Sequence, residues 1–263
     1  MLFFPPFLGG CLFLPGVWQR GLLPLGLFCL AASASYIFND LIDCPSDRLH
    51  PLKSARPLPS GAVSPHLAVW WALLLAGIPL AVSYLFLPVL LIWLVLYLLL
   101  SVFYTLVLKK IVLLDVVTIS ALFLVRLEAG GAAFGVRVTI WLLLSVFLLA
   151  FFLSAGKRYS ESLLLGEAAC AHRGVLACYS PCLLLGLLWG SGISVLLTYS
   201  LYCFNHNRFI WTIPLCAYGL VRYSARVRRG ADGDPTASLL KDRQLFIIGL
   251  SWVSLIAAEL YFR

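Results

Sequence analysis

Asn39, Asp43 and Asp47 recur at four-residue spacing in the stretch Asn39-Asp40-Leu41-Ile42-Asp43-Cys44-Pro45-Ser46-Asp47. On a helix they stack a turn apart along one face, three oxygen-bearing groups in a row. Hard oxygen donors in that array suit Mg²⁺, or the similar Mn²⁺, which keeps some waters and completes its shell with substrate phosphates. Asp40 stands beside them as a supporting carboxylate. The bland alternative is a solvated acidic helix end. Against it, these carboxylates close an apolar run, where charge is costly unless it is used. Pro45 removes a backbone donor, so the helix is expected to end or kink there and carry Asp47 onto the following loop.

The cations are as suggestive as the carboxylates. Lys53 and Arg56 follow the acidic stretch, and Lys109 and Lys110 precede Asp115. Gly156-Lys157-Arg158-Tyr159-Ser160-Glu161 ends a later apolar run. Arg158 can grip a phosphate as a planar fork and Lys157 as a point charge. Alternatively, Lys157 pairs with Glu161 one helical turn on. Arg126 lies within an apolar run, where a guanidinium costs at least about 2.5 kcal/mol on insertion scales, so it should face a polar cavity and an anion. Glu128 is a poor partner for it, because residues two apart point to opposite sides of a helix. Arg222, Arg226, Arg228 and Arg229 read as lipid-headgroup attraction. Asp232-Gly233-Asp234-Pro235 reads as a turn. His50, His66, His172 and His206 share no zinc-like spacing, and His50 reads as structural.

These groups must be positioned by a chain that cannot face water. Of 263 residues, 62% are hydrophobic and 11% charged, where a soluble domain carries about a quarter charged. Apolar runs of about twenty residues recur, each able to cross the hydrocarbon core as a helix. A soluble enzyme, a nucleic-acid-binding domain and a secreted disulfide scaffold are excluded, and continuous rather than alternating runs argue against a β-barrel. The eight cysteines include no Cys-x-x-Cys pair and read as small buried thiols.

The fold expected is all-α: a single integral-membrane domain over 1–263, with about nine spans near 2–17, 21–38, 66–87, 89–108, 113–133, 138–156, 174–198, 208–222 and 244–262. Loops 39–65, 109–112, 157–173 and 223–243, with adjoining helix ends, hold most of the nineteen Lys and Arg residues. Only Arg20, Arg137, Arg208 and Arg263 fall on the other side, which by the positive-inside rule puts the long loops in the cytoplasm. With nine spans the C-terminus lies outside. Asp40, Asp43, Asp47, Asp115, Glu161, Glu167, Asp232, Asp234 and Asp242 collect on the same face as the basic loops. The chemistry therefore faces the cytoplasm, from a multi-pass protein of the plasma membrane.

The stretch from Asn39 through Asp47-Arg48-Leu49-His50-Pro51, Lys53, Arg56-Pro57 and Pro59-Ser60-Gly61 resembles the first aspartate-rich motif of the UbiA-type intramembrane prenyltransferase superfamily. Phe103-Tyr104-Thr105, Lys109-Lys110 and Leu114-Asp115-Val116 are similar to its second element, and the likeness covers about residues 20–250. Most prenyl-diphosphate users carry a second aspartate-rich motif where this chain has Gly156 to Glu161. That substitution, with Arg126 and Ala129-Gly130-Gly131, resembles the decaprenyl-phosphate phosphoribosyltransferase branch.

The resemblance implies a cavity open to the cytoplasm, 5-phosphoribosyl diphosphate as donor, a polyprenyl phosphate as acceptor, and Mg²⁺ on Asn39, Asp43 and Asp47. It implies phosphate contacts from Lys53, Arg56, Lys109, Arg126, Lys157 and Arg158, with hydroxyls from Tyr104 and Tyr159. It is compatible with a homo-oligomer. The rival within the fold is prenyl transfer to a lipid-soluble acceptor, which the missing second acidic motif disfavours. An anion transporter would need polar residues at mid-membrane in several spans, and only Arg126 and Glu128 qualify. Relatives usually start with a basic RPxQWxKN segment that is absent here, so the chain starts late or its first helix docks differently.

Overall fold

The computed structural model describes residues 1–49, 53–165, 179–206, 208–231 and 233–262. His50, Glu167, Cys170, His172, Arg173, Cys178, Asp232 and Arg263 lie outside the described residues. The described residues are mostly helical, with no strand among them. The helices are α1 (Phe4–Leu8), α2 (Val17–Asp47), α3 (Pro65–Phe86), α4 (Pro88–Leu106), α5 (Leu114–Phe134), α6 (Ile140–Leu165), α7 (Pro181–His206), α8 (Ile213–Arg228), α9 (Pro235–Lys241) and α10 (Arg243–Tyr261).

Among the described residues, seven helices are long and apolar enough to cross a membrane: α2, α3, α4 with the turn after it, α5, α6, α7 and α10. Two of the nine apolar runs fall outside these seven candidates. In 2–17 the prolines and glycines leave only the five-residue α1. The run at 208–222 becomes α8, whose 16 residues extend into the arginines and cover about 24 Å, short of the roughly 30 Å core.

Two compact units emerge from the packing. Residues 1–118 and 124–137 form the first, in which α2, α3 and α4 pack on one another. Ser64 caps α3 by accepting from the Leu67 N–H, and a single residue, Leu87, joins α3 to α4. Residues 119–123, 138–165 and the described residues from 179 onward form the second. There α6 packs on α7, α8 touches α6, α7 and α10, and α9 touches α10.

The longest helix carries the acidic stretch. At 31 residues α2 is about 46 Å long, roughly ten residues more than the hydrocarbon core requires. The helix runs through Pro45 to Asp47, so the expected break does not occur. Pro45 costs only the bond to the Leu41 carbonyl, two residues before the helix ends anyway, and the Arg48 N–H closes the last turn onto Cys44 O.

Candidate functional site

In the first unit Asn39 and the carboxylates of the acidic stretch sort into two pairs, each closed by a cation. Asn39 Nδ2 donates to Asp43 Oδ2 at 3.0 Å. Lys109 Nζ donates to Asn39 Oδ1 at 3.1 Å and to Asp43 Oδ1 at 2.5 Å. Thr105 Oγ1 approaches the same Asn39 oxygen at 3.5 Å. Arg56 Nη1 joins the second pair, donating to Asp40 Oδ1 at 2.9 Å and to Asp47 Oδ2 at 3.2 Å. Lys53 Nζ lies 3.7 Å from the other Asp47 oxygen, and the Asp47 side chain is only 6% exposed.

This sorting follows from helix geometry and differs from the expected single stack. Positions seven apart return to within about 20° of one another, so Asp40 and Asp47 share a face. Positions eight apart diverge by about 80°, which separates Asp47 from Asn39. The loop after α2 supplies Lys53 and Arg56 from a tight turn, with the Arg56 N–H bonded to Lys53 O at 3.0 Å. Lys109 comes from the short turn Leu108–Lys110 that ends α4, and is itself buried. Leu113 then takes a positive φ of 69°, a rare conformation for a bulky residue, and starts α5 with Asp115 fully buried. Tyr104, half-buried, precedes Thr105 on α4.

Among the described residues no three His, Cys, Asp or Glu side chains converge as a metal cage. The donor set nevertheless fits a magnesium ion. Such ions take one or two carboxylates and draw the rest from water and substrate phosphates. Here Asn39 Oδ1 and Asp43 Oδ1 already converge on one cationic nitrogen, and Asp40 and Asp47 on another.

Arg126 belongs to the same unit, twelve residues into α5, about 18 Å along the helix. Its Nη2 donates to Tyr97 Oη at 2.6 Å and its guanidinium lies 4.9 Å from the centroid of that ring. Both contacts hold the planar fork, one by hydrogen bond and one by cation–π attraction. Tyr97, Ser101, Thr105 and Lys109 are all buried at four-residue spacing. A single polar strip thus runs along α4 and its turn, from the acidic pairs to Arg126.

The second unit holds the basic pair. Lys157 is 43% exposed and lies 3.4 Å from Asp234. Arg158 is 3% exposed and donates to Glu161 at 2.6 Å. Glu161 is therefore the partner of Arg158 in this structure, rather than of Lys157. Tyr159 packs against the apolar cluster of Phe152, Leu188, Tyr223, Val227 and Leu245.

Backbone contacts that sequence reasoning missed hold this turn in place. Ser160 Oγ donates to Ala231 O at 2.7 Å and accepts from the Gly233 N–H at 3.1 Å. Tyr223 Oη donates to Gly233 O at 2.8 Å. A Cβ on Gly156 would come within 2.6 Å of the Tyr223 ring, and one on Gly233 within 2.7 Å of Ser160 Cβ. The two glycines in these polar stretches were the available signal.

Asp234 also caps α9, accepting from the Ala237 N–H at 2.9 Å. That bond, together with Lys157 and against some burial, holds its carboxyl below the usual aspartate range. Two of the arginines read as lipid contacts have a protein partner: Arg222 bonds Asp242 at 3.0 Å and Arg226 lies 3.8 Å from it. Burial pushes Asp242 up, but the Arg222 bonds and the Leu245 and Gln244 N–H groups outweigh it, leaving the carboxyl below its usual value.

Helices of this number and length define a multi-pass membrane protein. The chain belongs to the UbiA prenyltransferase family, whose model matches residues 3–250. It is 32% identical over 250 residues to the decaprenyl-phosphate phosphoribosyltransferase of Mycolicibacterium smegmatis, covering 90% of this chain and 79% of that one. The enzyme of the same name from Mycobacterium tuberculosis is 32% identical over 242 residues, covering 90% and 80%. Among solved structures, a UbiA homolog from Archaeoglobus fulgidus bound to DMAPP and Mg²⁺ superposes with a TM-score of 0.73 at 20% identity, over 98% of this chain and 94% of that one. The same homolog bound to GPP and Mg²⁺ gives a TM-score of 0.73 over 98% and 93%.

Proposed function

We propose that this protein transfers a 5-phosphoribosyl group from 5-phosphoribosyl diphosphate to a polyprenyl phosphate at the cytoplasmic face of the plasma membrane. The observation that carries the reading is the 32% identity, over 90% of the chain, to relatives named for decaprenyl-phosphate phosphoribosyl transfer. The prenyl-diphosphate-bound homolog is 20% identical and speaks for the fold alone.

In this reading an oxygen of the acceptor phosphate bonds to the anomeric carbon, the bond from that carbon to the diphosphate breaks, and pyrophosphate leaves with the electron pair. Asn39 and Asp43, whose oxygens converge, would hold Mg²⁺, with Asp40 and Asp47 on the adjoining face in support, and the ion would neutralise charge on the leaving group. The acceptor is already an anion, so no strong general base is needed. Lys53, Arg56 and Lys109 grip the diphosphate from the rim of the acidic pairs. Arg126, Lys157 and Arg158 bind phosphate, with Tyr104 and Tyr159 as hydroxyl donors. For Lys157 this means exchanging Asp234 for substrate, a small change at an exposed site.

The test is incubation of purified protein with Mg²⁺, ribose-labelled 5-phosphoribosyl diphosphate and polyprenyl phosphate. The expected result is label moving into the organic phase. Label that stays aqueous, while a labelled prenyl diphosphate is consumed instead, would overturn the reading.

A further inference from the structure

Lys109 stands where the reading above needs a metal. Its Nζ lies 3.1 Å from Asn39 Oδ1 and 2.5 Å from Asp43 Oδ1, on the two residues that would ligate an ion. The side chain is 7% exposed, so the ammonium is screened little by water. A divalent ion and an ammonium compete for these two oxygens: at such separations like charges repel strongly, the more so away from bulk water. We propose that Lys109 is a resident counter-ion of the acidic stretch, which yields Asn39 and Asp43 to a divalent ion when a diphosphate arrives to take the ammonium. The proposal rests on the metal-diphosphate reading and adds an order of events to it.

Chemistry favours the exchange over a fixed pair. Without a cation, Asp43 would sit beside Asp40 and Asp47 on one helix end with its charge uncompensated, a costly arrangement at a membrane boundary. Lys109 supplies that charge from a flexible four-carbon stem, on the single 3-10 turn that follows α4, and such a stem can swing its ammonium to a nearby anion. Arg56 closes the other pair differently. Its side chain is 43% exposed and bridges Asp40 and Asp47 from the loop, where water already shares the load. The buried cation is therefore the gatekeeper. The consequence is selectivity for metal together with diphosphate over metal alone.

The experiment is Mn²⁺ binding to detergent-purified protein, read by electron paramagnetic resonance, with and without pyrophosphate. Lys109→Met should bind Mn²⁺ alone roughly ten- to a hundredfold more tightly than wild type, the worth of one charge-assisted bond. With pyrophosphate present the order should reverse, because the variant lacks the ammonium that receives it. Lys109→Arg, which keeps the charge, should remain a poor binder of Mn²⁺ alone. Melting in EDTA gives a second readout: the Met variant should melt lower than wild type and regain its stability in Mn²⁺.

If wild type and Lys109→Met bind Mn²⁺ alone equally well, and both bind it better with pyrophosphate, the exchange is wrong and the metal reading stands. If neither binds Mn²⁺ even with pyrophosphate, both fall. A Met variant that melts low and is not restored by Mn²⁺ would mark Lys109 as a fixed structural partner.

Discussion

The acidic end of α2 and the Lys157–Arg158 turn of α6 are both ion-paired, yet they are built in opposite senses. At the end of α2 the anions share one rigid helix, and the cations reach them from a loop and a turn. On α6 the cations are on the rigid helix, and Asp234 reaches Lys157 from the loop before α9. The partners of Asp43, Asp47 and Lys157 thus come from outside the helix that carries them, whereas Arg158 keeps its partner, Glu161, on α6 itself.

The largest effect expected is at the first region. Asp43→Ala should abolish turnover while leaving membrane insertion intact, since it removes a ligand without touching an apolar face. EDTA should do the same, reversibly with Mg²⁺ or Mn²⁺; full activity in EDTA would erase the distinction between the regions. Arg126→Leu should also eliminate turnover, while preserving or raising thermal stability, as expected of a residue kept for binding in an apolar span. A strongly destabilised Leu variant that remains catalytically normal would make Arg126 a structural partner of Tyr97.

At the second region, Lys157→Ala should raise the apparent KM for a phosphate-bearing substrate roughly tenfold, the low end for a charge-assisted bond, with no change in the Mg²⁺ requirement. A shifted Mg²⁺ requirement would mean that the two regions are not divided as described. Gly156→Ala tests the anchoring itself. Its new methyl would press on the Tyr223 ring, and overpacking of this kind costs about 1–3 kcal/mol, visible as a lower Tm.

The smallest effect concerns pH. Asp234 titrates lower folded than unfolded, so its contribution is complete above the usual aspartate range and is lost as pH falls through the lowered folded value. Asp234→Asn should flatten that acid-side loss slightly; an unchanged acid limb would remove Asp234 from the turn's support.

Much of this was legible before any coordinates. Apolar runs of spanning length specify helices because lipid leaves the backbone no other partner, and the Leu87–Pro88 hairpin follows from a proline ending one run and opening the next. Asn39, Asp43 and the later cations could be read from residue type and spacing. The pairing of Asp40 with Asp47 follows from a seven-residue interval, which the four-residue spacing of Asn39, Asp43 and Asp47 overlies. The contacts of Lys109 with Asn39, and of Tyr97 with Arg126, join residues far apart in the chain, and no local pattern announces them. Nor does the burial of Arg158, because Glu161 lies within reach whether the helix face is wet or packed.

The most direct test follows both ends of one donor. Purified protein, Mg²⁺ and polyprenyl phosphate are given 5-phosphoribosyl diphosphate carrying ¹⁴C in the ribose and ³²P in the β-phosphate. Transfer as proposed sends ¹⁴C into the organic phase and releases an equal amount of ³²P as pyrophosphate, and both signals vanish in Asp43→Ala. Neither label moving, while a labelled prenyl diphosphate is turned over by the same preparation, would contradict it.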